Sequence, residues 1–235
     1  MERALSEPTG LPPGQRAIEE FPRFGLSQFA HRFPREPRRI ALTIQGDVET
    51  EIVVAEDELR ELPRVEQTSD FHCVTTWSRC ALRWSGFRFA DFFERIVLPR
   101  SRPEPASTFI ILRGQDGAAS SLPLEDLLAP RVLLADTLDG KPLSIEHGAP
   151  LRLVAPAHYG YKNVKHLSVI GFWRDDRRFR PAAFRFMDHP RARVDLEERG
   201  RGVPGIFLRY LYRPLVGPTI RRFRQALDSH PAEQG

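Results

Sequence analysis

Apolar residues in this chain of 235 come only in short bursts. Ile40–Ile44, Ile52–Val54, Thr108–Leu112, Leu151–Ala155 and Leu167–Trp173 are each soon closed by a proline, a glycine or a charge. Crossing a bilayer as a helix takes about 18 consecutive apolar residues, and no stretch here approaches that. Short bursts with alternating apolar and polar residues read as strands. Ile40–Gly46 alternates, ends in a Gly46-Asp47 turn and is followed by Glu51–Val54 as a second strand. Thr68–Ser78 reads as one strand interrupted by small polar residues, and Val132–Ala135, closed by the Asp139–Pro142 turn, as another.

Helical spacing survives only over short segments. Ala55–Leu62 is acidic at its start and stopped by Pro63. Phe89–Ile96 sets Phe89, Phe92, Phe93 and Ile96 on one face, with Trp84–Phe87 leading into it. Leu122–Leu128 carries Pro123 near its first helical position. His158–Lys165 is a turn around Gly160 that opens a helical turn. Many short strands with scattered short helices predict an α+β fold of mixed sheets with short flanking helices.

Residues 1–38 are rich in proline and read as an extended arm, since proline fixes φ and removes a backbone donor. Phe21, Phe24, Phe29 and Phe33 predict that it docks from Phe21 onward, leaving 1–20 as a flexible leader. The main domain is expected over 21–175. Beyond it, 176–235 reads as a basic extension, with Arg174–Arg201 a surface loop or linker and Ile206–Arg213 and Thr219–Leu227 two short amphipathic helices parted by Pro214 and Pro218. Such helices either pack on their own domain or lie on an anionic membrane or an acidic partner.

With 41% hydrophobic and 28% charged residues, the chain has the balance of a soluble folded protein. Met1–Gly10 has no apolar core of a secretory signal. Two cysteines, Cys73 and Cys80, make neither a disulfide framework nor a four-cysteine zinc site. The expected location is the cytoplasm. A net charge of +4 is modest and predicts no nucleic-acid partner.

Among reactive side chains, Cys73 is flanked by His72 and by Thr75, Thr76 and Ser78. It reads as a thiolate nucleophile or metal ligand, or as a small buried hydrophobe. Cys80 reads as structural. Phosphate-loop spacings, His-Glu-x-x-His and Gly-x-Ser-x-Gly are all missing, and His158 and His166 are spaced as no common zinc site is. The only lysines are Lys141, Lys162 and Lys165. Arg152, Lys162 and Lys165 around the Gly160 turn read as an anion site, or as exposed cations on a loop.

Two segments carry a family likeness. Asp70–Ser78 followed by Trp84–Phe87 resembles the cysteine segment of the sulfite-oxidase-like molybdopterin oxidoreductases. His147–Pro156 followed by Tyr159–Lys165 resembles that family's pterin-binding stretch, and the likeness runs from Phe21 to Trp173. It is closer to the methionine-sulfoxide-reductase catalytic subunits than to sulfite oxidases proper. The resemblance implies the sulfite-oxidase-type molybdenum-cofactor fold and a Mo-molybdopterin cofactor, one molybdenum held by one pyranopterin dithiolene and by the thiolate of Cys73. It places His147, Arg152, Asn163, Val164 and Lys165 at cofactor contacts, with the 163–165 stretch presenting backbone amides and a cation to the cofactor phosphate, so that Lys162 of the anion site is expected at the cofactor as well. Arg23 and Phe24 lie near the family's N-terminal contacts, and His72 and Trp77 near the metal.

The implied reaction is two-electron oxygen-atom transfer with a small-molecule oxo donor or acceptor, electrons passing through a separate partner. Sulfite oxidases follow the cysteine with arginines; here Val74, Thr75, Thr76, Trp77 and Ser78 stand there, which disfavours sulfite. A cofactor carrier without turnover, and an adaptor that uses the C-terminal basic helices, are the other readings.

Overall fold

In the computed structural model, which describes residues 10–230, two sheets pack on one another. The first holds β1 (Arg16–Ala17), β4 (Arg64–His72), β5 (Trp77–Arg88), β8 (Leu133–Leu138), β9 (Lys141–Pro142) and β10 (Arg152–Val154). The second holds β2 (Ala41–Gly46), β3 (Ile52–Ala55), β6 (Phe109–Gly114), β7 (Ala119–Pro123) and β11 (Leu167–Trp173), in the order β3-β2-β11-β6-β7. Only β11 with β2 and β1 with β5 run parallel. The remaining pairs are antiparallel, so the α+β class read from the short strands holds.

Alternation explains which residues meet. In β2, Leu42 and Ile44 are fully buried and Ala41 and Thr43 are not. Ile44 and Leu112 flank Ile170 of the central β11 on either side. With Phe87, Leu134 and Leu153 from the first sheet they form the main core, each such side chain contributing roughly 1.5–3 kcal/mol. Strand β5 kinks between Ser85 and Gly86, where a side chain on Gly86 would stand 2.1 Å from the Leu134 carbonyl oxygen, a close approach that only glycine allows.

Short helices fill the sheet edges. α1 (Glu56–Arg60) is capped by Glu58 Oε1, which accepts from Ala55 N–H at 2.9 Å, half of a capping box. α2 (Phe89–Phe92) passes through a wider turn, Phe93–Val97, into α3 (Leu98–Arg100), and buries Phe89, Phe92, Phe93 and Ile96 as their spacing predicts. α4 (Leu124–Leu127) starts after Pro123. α5 (Gly205–Tyr212) and α6 (Val216–Asp228) end the described chain.

Three expectations change. Thr68–Ser78 is the end of β4, a tight turn and the start of β5, because backbone hydrogen bonds across the turn close a hairpin. The arm docks before Phe21, since Arg16 and Ala17 pair with Trp77 and Ser78; the part of the leader before Gly10 lies outside the described residues. Arg174–Arg201 is anchored rather than a surface loop, with Phe179, Ala192, Val194 and Arg199 all buried. Residues 231–235 of the extension also lie outside the described residues.

Candidate functional site

The turn of the β4–β5 hairpin holds Cys73. Cys73 N–H donates to Trp77 O at 2.8 Å, and Thr76 N–H donates to Cys73 O at 3.1 Å. Thr76 has φ 85°, a strained value for a β-branched residue that only its surroundings can hold. Those surroundings come from both ends of the chain. Gln15 Nε2 donates to Cys73 O at 3.0 Å, and Arg199 Nη1 to Val74 O at 2.6 Å. Arg199 Nη2 reaches Pro13 O at 2.9 Å, tying arm, hairpin and C-terminal segment together.

The Cys73 thiol is 7% exposed, with Sγ 3.1 Å from Thr75 Oγ1. Burial pushes its pKa up; the Thr75 hydrogen bonds and the charges of Arg199 and Lys165 oppose that. A cavity of about 330 Å³ opens beside it, walled by Phe24, Trp77, Tyr212 and Phe223 among others. Arg23, Asp116 and Lys165 supply charged lining. Lys165 Nζ donates to Glu146 O at 2.7 Å. An ammonium has three donors, and the other two have no protein partner among the described residues. Burial, then the neighbouring charges of Arg152 and Arg23, push Lys165 down to about 7. Asp116 is moved the other way, its carboxyl pushed up by burial.

Arg23 is buried with Nη1 2.6 Å from Ala30 O and Nη2 2.6 Å from Arg32 O. Its guanidinium lies between the rings of Phe33 and Phe223, a cation–π arrangement. Arg152 is fully buried over Trp84, 4.9 Å from its ring, and donates to His147 O at 2.8 Å. No carboxylate pairs with it among the described residues, and burial lowers it to about 9. Lys165 thus has both Arg23 and Arg152 as charged neighbours, a concentration of buried positive charge beside the cavity that favours an anion there.

Of the residues singled out in the sequence, Cys73, Trp77, Arg23, Phe24, Asn163, Val164 and Lys165 line this cavity. The others stand behind it. His72 packs under the hairpin; the Ser78 hydroxyl donates to Gln15 Oε1, so it accepts from His72 Nδ1 at 2.7 Å. His147 Nε2 donates to Phe21 O at 3.1 Å, and its ring is pushed down to about 4 by burial and by Lys165 and Arg152.

Lys162 separates from Lys165. Its Nζ donates to Ser121 O at 2.9 Å and pairs with Asp188 at 3.3 Å, fully buried and outside the cavity lining. Lys165 lines the cavity and Lys162 does not, so the single site read from their spacing is split. Asn163 spends its side chain on the 155–159 loop, accepting from Ala155 N–H at 2.6 Å. The amides of Asn163 and Val164 are also taken, by Gly160 O and Lys162 O. Gly160 is needed for packing: a Cβ there would stand 2.2 Å from the Phe71 ring.

Sequence reasoning missed Asp116, Tyr212 and Phe223. Tyr212 Oη and Trp77 Nε1 are buried on the cavity wall with no hydrogen-bond partner among the described residues, an uncommon state for buried polar atoms. The inward i, i+4 pair Leu208 and Tyr212 was legible as a buried helical face; what it faced was not.

Residues 30–179 match the family model described as oxidoreductase molybdopterin binding domain. The chain is 32% identical over 166 residues to an uncharacterized oxidoreductase, YuiH, of Bacillus subtilis (strain 168), covering 71% of this chain and 80% of that protein. It is 28% identical to a putative protein-methionine-sulfoxide reductase subunit, YedZ1, of Azospira oryzae, covering 57% of this chain and 52% of that one. It is 27% identical to the protein-methionine-sulfoxide reductase catalytic subunit MsrP of Campylobacter jejuni, covering 57% and 49%. The chain therefore spans about half the length of these last two. Among solved structures, the sulfane dehydrogenase SoxCD of Paracoccus pantotrophus shares the fold with a TM-score of 0.50 at 23% identity, over 57% of this chain and 38% of that one.

Proposed function

This chain belongs to the oxidoreductase molybdopterin binding domain family, and on that premise we propose that it carries out two-electron oxygen-atom transfer, with Cys73 as the protein ligand to the metal. It is a molybdopterin-dependent oxidoreductase, and its cofactor is Mo-molybdopterin. The residues present fit that group. A thiol on the cavity wall suits a metal already bound through sulfur. The cations Arg23, Arg152 and Lys165 suit the cofactor's phosphate, and the two remaining donors of Lys165 have somewhere to bond.

When bound, the cofactor supplies the two-electron redox chemistry. The chain's own residues do the rest. Cys73 must shed its proton to ligate, and Thr75 Oγ1 with the charges of Arg199 and Lys165 stabilises the thiolate. Lys165 and Arg23 hold the anionic end, and an anion there draws Lys165 back to its charged form. Tyr212 Oη–H and Trp77 Nε1–H donate to an oxygen of the substrate, while Phe24 and Phe223 keep water out.

That wall favours an organic oxo donor or acceptor with an apolar body over sulfite. The Arg199 guanidinium, an alternative anion holder, is already bound to Glu197, Val74 O and Pro13 O. Relatives named as reductase subunits support electron exchange with a separate partner. Neither Cys73 nor Cys80 forms a disulfide among the described residues, which suits a reducing compartment and supports a cytoplasmic location. No helix among the described residues is long and apolar enough to cross a membrane.

The observation that carries the reading is Cys73 Sγ on the wall of an apolar cavity beside three gathered cations. Protein purified from a host that makes the cofactor is expected to hold about one molybdenum per chain. Cys73→Ser is expected to change the metal spectrum and abolish turnover with sulfoxides and N-oxides; Cys80→Ser, on the open part of β5, is expected to change neither. Full activity in Cys73→Ser, or no molybdenum and no pterin in the wild-type protein, sinks the assignment.

A further inference from the structure

α5 is apolar on two sides. Leu208 and Tyr212 face inward and are buried, whereas Ile206, Phe207, Tyr210 and Leu211 face outward at 48–66% exposure. Leu215, 50% exposed, continues that outer stripe past the helix end. The spacing is that of an amphipathic helix, but the side turned to solvent is the apolar one. From Arg199 to Leu227 the chain has seven arginines and no Asp or Glu. Arg209 pairs with Glu197 and Arg224 with Glu20. Arg213, Arg221 and Arg222 have no carboxylate partner among the described residues, and all three stand at the surface. Arg221 and Arg222 line an open groove with His31 and Gln225, and Leu215 is on its rim, so the apolar stripe and the cationic groove meet there.

We propose that this face binds an anionic bilayer surface, α5 lying in the interfacial plane with Phe207 and Leu211 toward the acyl chains and Arg213, Arg221 and Arg222 on the phosphate headgroups. Aromatic and leucine side chains flanked by arginine, without carboxylates, match the chemistry of that boundary. A second copy of the chain does not fit, because a two-fold contact through this face sets arginines against arginines. The contact is independent of the reaction proposed above.

Co-sedimentation of the full chain with phosphatidylcholine vesicles, with and without phosphatidylglycerol, tests it. Binding is expected only with phosphatidylglycerol and is expected to weaken as salt is added. Arg221→Gln with Arg222→Gln should weaken it about 30-fold, and Phe207→Ser with Leu211→Ser at least about tenfold. All four side chains are at the surface, so the melting curves of both variants should match the wild type. Equal binding to neutral vesicles, no vesicle binding at all, or indifference to either pair overturns the proposal. So does self-association, or capture of an acidic protein in place of vesicles, that Phe207→Ser with Leu211→Ser removes.

Discussion

His147 and His166 sit beside Lys165 for different reasons, and both are held neutral. His166 Nδ1 donates to Ala149 O at 2.6 Å, and burial with the nearby cations pushes the ring down to about 3; His147 lies at about 4. An unfolded chain protonates both below about pH 6.5, while the native protein resists until pH 4 or lower. Their contribution is therefore complete above about pH 6.5 and is lost as pH falls through that window, by about 1.4 kcal/mol per pH unit for each histidine. Urea midpoints between about pH 7 and pH 4.5 are expected to fall steeply, and His147→Asn with His166→Asn should flatten the slope; an unchanged slope rules out these residues as its source. At this scale Cys73 and Lys165, which line the cavity, stood out in the sequence as chemically distinctive side chains in recognisable stretches, whereas Arg23 lay only near the family's N-terminal contacts. The sequence did not show Lys162 turning away, since that depends on Asp188, which follows in a segment read as surface.

Among elements, the β4–β5 hairpin and α6 shape the site most. The hairpin was hidden because its turn, Val74-Thr75-Thr76, contains none of the usual turn residues. It is held by Gln15 and Arg199 instead, which are distant in sequence. α6 was legible as a helix from its spacing, but its partner was not. Phe223, 2% exposed, packs with Phe29 and Ala30 of the arm and against the guanidinium of Arg23, 5.1 Å away. Phe223→Ala should lose about 3–5 kcal/mol of stability and loosen Arg23, so that cofactor retention falls along with the melting temperature. A loss below about 1 kcal/mol would show that α6 is not fixed on the arm as described.

For the whole molecule, the segment beyond the family domain is part of the working structure. Asp188, Tyr212, Leu215 and Phe223 all line the cavity, and all lie after residue 179, where the family match ends. The Asp188–Lys162 pair is one joint between the two parts, its lysine fully buried and lowered to about 8 by burial against the pull of Asp188. Asp188→Asn should destabilise the protein by about 3 kcal/mol at neutral pH. The loss should shrink above about pH 8, because the ammonium is then neutral in either variant; thermal melts on both sides of that value check it, and equal losses would show that charge is not what matters. Fold class and family were legible in the linear chain, because strand periodicity and a local motif are properties of neighbouring residues. Which cations face the cavity, which protein groups close it and which helix face stays open emerge only once the chain is folded. Those depend on contacts between the arm, the hairpin and the C-terminal helices, and no local pattern encodes a contact between segments so far apart.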